Sequence, residues 1–348
     1  MKVSKKVICN LTKCYSIAPL EYKGEPHFLV AAEKQDPCFL FDRDGNKVDK
    51  IWDGPGGVMT MLQVPGTDGQ FLATRKFYSP NDSKEATIVI VTPVRGKWEI
   101  RTLVNLPYVH RFDILERGGI RYLLACCIKS DYEYKDDWRF PGKCFACELP
   151  EDLSSYDEGH TLAMEPVMEG MLKNHGYTRF VKNGQAHGVV SCDGGTYLFT
   201  PPAEKDGKWE IRQLTDYPAS DAVYCDFDGD GEEELGVITP FHGNKINILK
   251  QSDGVFKEVY NYPQDAEFSH AIFGGEIAGK KRFIVGHRKG KRDLLAFTYN
   301  EDKGTYDFEV LDEDCGPANV FHFVKDGKDI LISTNRETDE VAMYTLEQ

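Results

Sequence analysis

Apolar and polar positions recur in the same order seven times along the chain. A short apolar stretch runs into a Gly- or Asp-bearing turn, a second apolar stretch follows, and a polar residue often closes it. The second stretches are HFLVAAE (27–33), QFLATRK (70–76), RYLLACC (121–127), HGVVSC (187–192), ELGVITPFH (234–242), RFIVGHR (282–288) and DILISTNR (329–336). The stretches before the turns are 15–21, 57–64, 110–116, 175–181, 221–227, 270–276 and 319–325. Gly-containing turns between alternating apolar runs join antiparallel strands, so each copy predicts a hairpin.

Third strands follow at PCFLFD, TIVIVT, KCFACEL, TYLFTP, KINILK, LLAFTY and VAMYTL. Fourth strands follow at KVDKIW, KWEIRTLV, KWEIRQLT, VFKEVY and YDFEVL, with the polar alternation of a sheet edge, and a weaker one at 163–168. The seventh copy stops after its third strand, while residues 6–11 form an unused strand-like segment ahead of the first copy. The pattern therefore predicts an all-β, seven-bladed β-propeller of four-stranded blades. It forms one domain, 1–348, with the N-terminal strand joining the last blade to close the ring.

In a propeller the first strand of each blade lines the channel, and its start shares a rim with the end of the second strand. First-strand starts carry His110, His175, Asp221, His270 and Asn319; second-strand ends carry Arg75, His242, His287, Arg288, Asn335 and Arg336. Imidazoles gathered in this way suit a divalent transition metal such as Mn, Zn or Fe. Arginines suit a carboxylate held by two parallel hydrogen bonds. The expected metal group is His175, His242, His270 and His287. His110 is the expected base, with Arg75, Arg288 and Arg336 as carboxylate holders and Asn319 and Asn335 as substrate contacts. An insertion in the third copy (128–142) adds Tyr132, Tyr134 and Trp138 for stacking on sugar rings and Arg139 for the carboxylate.

Composition narrows the partners. The formal charge of −14 speaks against a nucleic-acid backbone. No segment is apolar for long enough to serve as a signal peptide or to span a bilayer, which makes cytoplasmic the expected compartment and reduced thiols the expected state of the ten cysteines. Cys144 and Cys147 have CxxC spacing, but on a strand they face opposite ways. A sealed ring leaves little need to assemble, so a monomer acting on a small saccharide is expected, with no nucleic acid or membrane partner.

The opposite rim carries the sharpest local motif. Asp226, Asp228, Asp230 and Glu234 stand at positions one, three, five and nine around a Gly-bearing turn, with the Glu232 carbonyl as a further oxygen. This set suits one hard cation. The motif resembles the calcium loop of FG-GAP-type propeller repeats, departing from it in having Glu at the ninth position. That resemblance implies structural Ca²⁺ in one blade. The histidine- and arginine-bearing mouth resembles that of the propeller sugar lyases, such as rhamnose–glucuronate lyase and oligogalacturonate lyase, and the propeller of aldos-2-ulose dehydratase. It implies metal-assisted β-elimination on a uronate-containing or keto sugar. The alternatives are a glycoside hydrolase on the same face and a non-catalytic propeller that binds a glycan or protein.

Overall fold

The computed structural model describes residues 1–348 and contains strands and turns with no helix. There are seven four-stranded antiparallel sheets, one for each copy of the sequence pattern. Their first strands are Cys14–Tyr22, Met61–Gln63, Val109–Arg117, Gly176–Lys182, Asp221–Cys225, Ser269–Ile277 and Pro317–Lys325. Six sheets take their strands in chain order. In the seventh the order is Pro317–Lys325, Lys328–Asn335, Glu340–Glu347 and then the N-terminal strand Lys2–Asn10. The register runs from Lys2 opposite Glu347 to Asn10 opposite Glu340. The weak fourth strand of the third copy is found at Glu165–Met171, pairing irregularly with Pro141–Glu148.

The chain divides into two compact units. One comprises Met1–Cys14, Val189–Leu198 and Gln213–Gln348; the other comprises Tyr15–Gly188 and Phe199–Arg212. In the second of these, the first two sheets meet over Leu29, Leu40, Trp52, Phe71 and Val91. In the other unit the fifth and sixth sheets meet over Ile238, Ile248, Phe283 and Phe297, and the sixth and seventh over Ile284, Leu294, Leu331 and Tyr344. Each fully buried Leu, Ile or Phe contributes about 1.5–3 kcal/mol of transfer free energy.

The sheets approach closely where the repeat places glycine. A Cβ on Gly236 would stand 2.9 Å from the Phe283 ring, and one on Gly286 would stand 2.1 Å from Pro317 Cγ. All ten cysteines are free. Cys144 is buried with Gly142 and Ala146 on one face of its strand, and Cys147 lies on the other face, as its spacing requires.

Candidate functional site

Five first strands are entered in the same way. Lys13, Tyr108, Lys173, Phe268 and Gly316 take left-handed φ values of 52°, 64°, 53°, 58° and 63°. Two positions after each stand Tyr15, His110, His175, His270 and Ala318. At His110, His270 and Ala318 the strand bulges, so the residue falls between two pairs of the ladder. A bulge re-aims a side chain. The left-handed conformation costs a bulky residue such as Tyr108 or Phe268 about 1–3 kcal/mol, which neighbouring structure must offset.

The bulge also fixes the histidine tautomer. His270 Nδ1 donates to the Ala318 carbonyl at 2.7 Å, and His110 Nδ1 donates to the His175 carbonyl at 3.0 Å. A carbonyl can only accept, so each Nδ1 carries a proton, which in the neutral ring leaves the lone pair on Nε2. Ligating histidines are oriented by this kind of outer hydrogen bond. Both side chains are almost fully buried.

Within the unit that holds His270, aromatic and charged groups surround it. His242, itself at φ 48°, stacks on Phe241 at 4.0 Å and on Phe268 at 4.4 Å, and lies 5.6 Å from the His270 ring. The Arg288 guanidinium covers the Phe268 ring at 4.8 Å. Arg288 Nε donates to Glu337 at 2.8 Å, and Arg336 donates to the same oxygen at 2.9 Å. Burial alone would raise the Glu337 carboxyl; Arg288 and Arg336 outweigh it and hold the group below the usual glutamate range. Glu337 was not among the residues expected from sequence, because it lies two positions beyond the strand Lys328–Asn335 and meets Arg288 across 49 residues.

Within the other unit, the His110 ring packs 4.5 Å from that of His175 and 5.0 Å from Phe77. Thr60 Oγ1 donates to the His110 carbonyl at 3.1 Å. Arg111 donates to the Met59 carbonyl at 2.6 Å, with its guanidinium 5.9 Å from the Tyr15 ring.

Other expected site residues have different duties. His287 donates from Nδ1 to the Lys289 carbonyl at 2.9 Å and accepts at Nε2 from the Asp293 N–H at 3.1 Å. Both nitrogens are thereby committed to backbone, which corrects its expected place among the metal ligands. Asn335 is fully buried, accepting from Ser333 at 2.7 Å and donating to Tyr344 Oη at 3.0 Å, so it braces the blade and is closed to substrate. Asn319 remains at the start of its strand and takes a 3.2 Å bond from its own N–H to Thr334 Oγ1. Arg75 continues the face of Phe71 and Ala73, which point into the layer between sheets. Its guanidinium lies 5.5 Å from the Trp52 ring and donates to the Pro55 carbonyl at 3.3 Å.

The third-copy insertion is bonded to itself. Lys129, fully buried, donates to the Asp137 carbonyl at 2.7 Å with its ammonium 4.4 Å from the Trp138 ring and 5.4 Å from Tyr132. The buried Asp137 carboxylate binds the Arg139 guanidinium at 2.8 and 2.9 Å, and Arg139 reaches Glu133 at 2.7 Å. Arg139 holds Asp137 well below the usual carboxylate range. The expected sugar platform is thus largely spent on a buried lysine and an internal ion pair. Tyr134, 57% exposed, faces solvent, with the exposed Arg139 guanidinium stacked on it at 5.2 Å.

Asp226, Asp228 and Glu234 present carboxylate oxygens within 4.8 Å of one another, as the motif predicts. Lys250, from the strand Lys245–Ser252, reaches into the same group and contacts Asp228, Asp230 and Glu234. Glu232 is exposed and contributes its N–H to Asp230 at 2.9 Å.

No family model and no curated protein matches the chain. Solved structures do. A streptogramin B lyase structure superposes with a TM-score of 0.58 at 13% identity, covering 98% of this chain and 97% of the other. The Dos1 propeller superposes with a TM-score of 0.55 at 9% identity, covering 92% and 76%. At such low identity the likeness carries the fold alone. With seven four-stranded antiparallel sheets in sequence order, this chain is a seven-bladed β-propeller.

Proposed function

We propose that this propeller is a carbon–oxygen lyase that abstracts a proton beside a carbonyl or carboxylate of a small saccharide, a uronate-containing or keto sugar, and expels the oxygen on the next carbon. The observation that carries the reading is the bulged histidine. His110 and His270 are buried, delivered in one backbone phase, and fixed by a backbone carbonyl in the tautomer with a basic Nε2. A neutral imidazole with that lone pair can serve as a general base or a metal ligand.

We assign His242 and His270 of one unit as ligands of a divalent transition metal (Mn, Zn or Fe), and His110 of the other unit as a base. The donor set is all imidazole, which suits these metals. Bound there, the metal supplies positive charge that draws electron density out of the substrate carbonyl. Arg288 and Arg336 share one carboxylate, Glu337, and keep one net positive charge, which favours a singly anionic substrate. The structure named streptogramin B lyase shares the fold, so a lyase is compatible with this architecture, and its name says nothing of a sugar.

The test is a panel of uronate-ended oligosaccharides and keto sugars, read by the ultraviolet absorbance of a new conjugated double bond. His270→Ala, with its circular dichroism unchanged, is expected to lose at least about a hundredfold in rate. It is also expected to lose transition metal by elemental analysis. Full activity in that variant, or no unsaturated product from any panel member, overturns the assignment.

A further inference from the structure

The Asp-rich turn has the spacing of a cation loop, and its cation is already part of the chain. The four side chains Asp226, Asp228, Asp230 and Glu234 offer eight carboxylate oxygens: seven accept hydrogen bonds, and the eighth, Glu234 Oε1, has only an ion-pair contact. Five accept from the turn's own backbone. Asp226 takes the N–H groups of Gly229 at 2.7 Å and Gly231 at 3.0 Å; Asp228 takes that of Asp230 at 3.3 Å. Asp230 takes that of Glu232 at 2.9 Å, and Glu234 that of Phe227 at 2.7 Å. Gly229 and Gly231, at φ 80° and 94°, permit the backbone to turn its N–H groups inward.

The other three oxygens, Asp228 Oδ2, Asp230 Oδ2 and Glu234 Oε1, all contact the Lys250 ammonium, the last two at 2.6 and 3.2 Å. Two of the ammonium's three N–H donors are spent on Asp228 and Asp230, and Glu234 Oε1 is held by charge at ion-pair distance. Strand register brings Lys250 there: Leu249 pairs with Leu235, which puts the next residue beside Glu234 at the mouth of the turn. Calcium, by contrast, needs six to eight oxygens turned toward it. To bind it, the turn would have to surrender inward N–H bonds and expel a cation. Glu234 is fully buried and Lys250 mostly so, which makes that exchange expensive.

We propose that Lys250 is the resident cation of this turn: it stands in for calcium, makes the fifth blade independent of divalent ions, and blocks a calcium site that its removal would open. This reading differs from the calcium implied by the FG-GAP resemblance. It also leaves the pKa pattern with a cause. Burial alone would lower Lys250, but Asp228, Asp230 and Glu234 raise it, keeping the ammonium charged.

The experiment compares the full-length protein with Lys250→Met, which keeps the aliphatic stem and removes the charge. Calcium binding is followed by titration calorimetry, and the thermal midpoint is read in chelator and in millimolar calcium. The native protein is expected to show no calcium heat and the same midpoint in both. Lys250→Met is expected to melt roughly 5–10 °C lower in chelator, to recover in calcium, and to bind one calcium per chain. Calcium binding by the native protein with a raised midpoint overturns the proposal. A folded Lys250→Met that ignores calcium overturns the claim of a blocked site. Should that variant not fold, the native protein's calcium response alone decides.

Discussion

His287 occupies the repeat phase of a candidate ligand and yet serves as a backbone brace. Its neutral form accepts the Asp293 N–H at Nε2, and protonation abolishes that acceptor. Burial is the main cause that lowers its pKa, ahead of the opposing Lys289 bond and the Asp293 charge. The folded value therefore lies below the unfolded value of about 6.5, and the unfolded chain binds more protons as pH falls. The His287 contribution is whole above about pH 6.5 and fades as pH drops through and below that value. Urea unfolding between pH 7.5 and 5.5 should show a steeper loss of stability in the native protein than in His287→Gln; equal slopes would remove His287 as the cause. Parity along a strand separates duties that sequence phase alone merges. Arg75 and Asn335 end second strands just as the pattern indicates, but each falls on a face buried in the blade. Glu337 and Lys250 went unseen for a different reason. Glu337 meets Arg288 across 49 residues and Lys250 meets Asp230 across 20, through a register that no local pattern specifies.

The hairpins were legible because alternation of period two and Gly-bearing turns are local properties. The entry bend was not. Lys13, Tyr108, Lys173, Phe268 and Gly316 share a backbone conformation and no side-chain chemistry, so neither they nor the bulges at His110 and His270 leave a mark in composition. What the sequence did carry was the recurrence of histidine at one phase, and the bend explains why that phase matters. Close packing between blades has its own visible sign, a glycine inside an apolar strand. In RFIVGHR, Gly286 pairs with Ala271 and lies under Pro317, whose ring cannot swing away from an added methyl. Gly286→Ala is expected to lower unfolding free energy by about 1–3 kcal/mol through overpacking, measured by denaturant titration. A neutral result would mean that the sixth and seventh blades can slide apart without cost.

At the scale of the whole chain, the two ends are tied into one sheet. Lys2–Asn10 pairs along its length with Glu340–Glu347, with Lys5 bonded to Asp312 at 2.8 Å and Glu340 at 3.2 Å, and the Met1 amine to Glu309 at 2.9 Å. Removing residues 1–10 would strip this pairing and leave Glu340–Glu347 as an open edge with Val341, Tyr344 and Leu346 losing cover. Open apolar edges pair with other chains. The deletion also removes Lys2, Lys5 and Lys6 from a protein whose net charge is already −14, so electrostatic repulsion between chains grows. The two effects oppose each other, and edge pairing should win at moderate salt, where charges beyond about 8–10 Å are screened. The shortened chain is expected to melt roughly 5–10 °C lower, by the size of a lost strand's buried contacts, and to form larger species by light scattering as salt is raised. If it stays dispersed with the native midpoint at every salt concentration, the N-terminal strand is an ornament on the seventh blade and the other three strands hold the sheet alone.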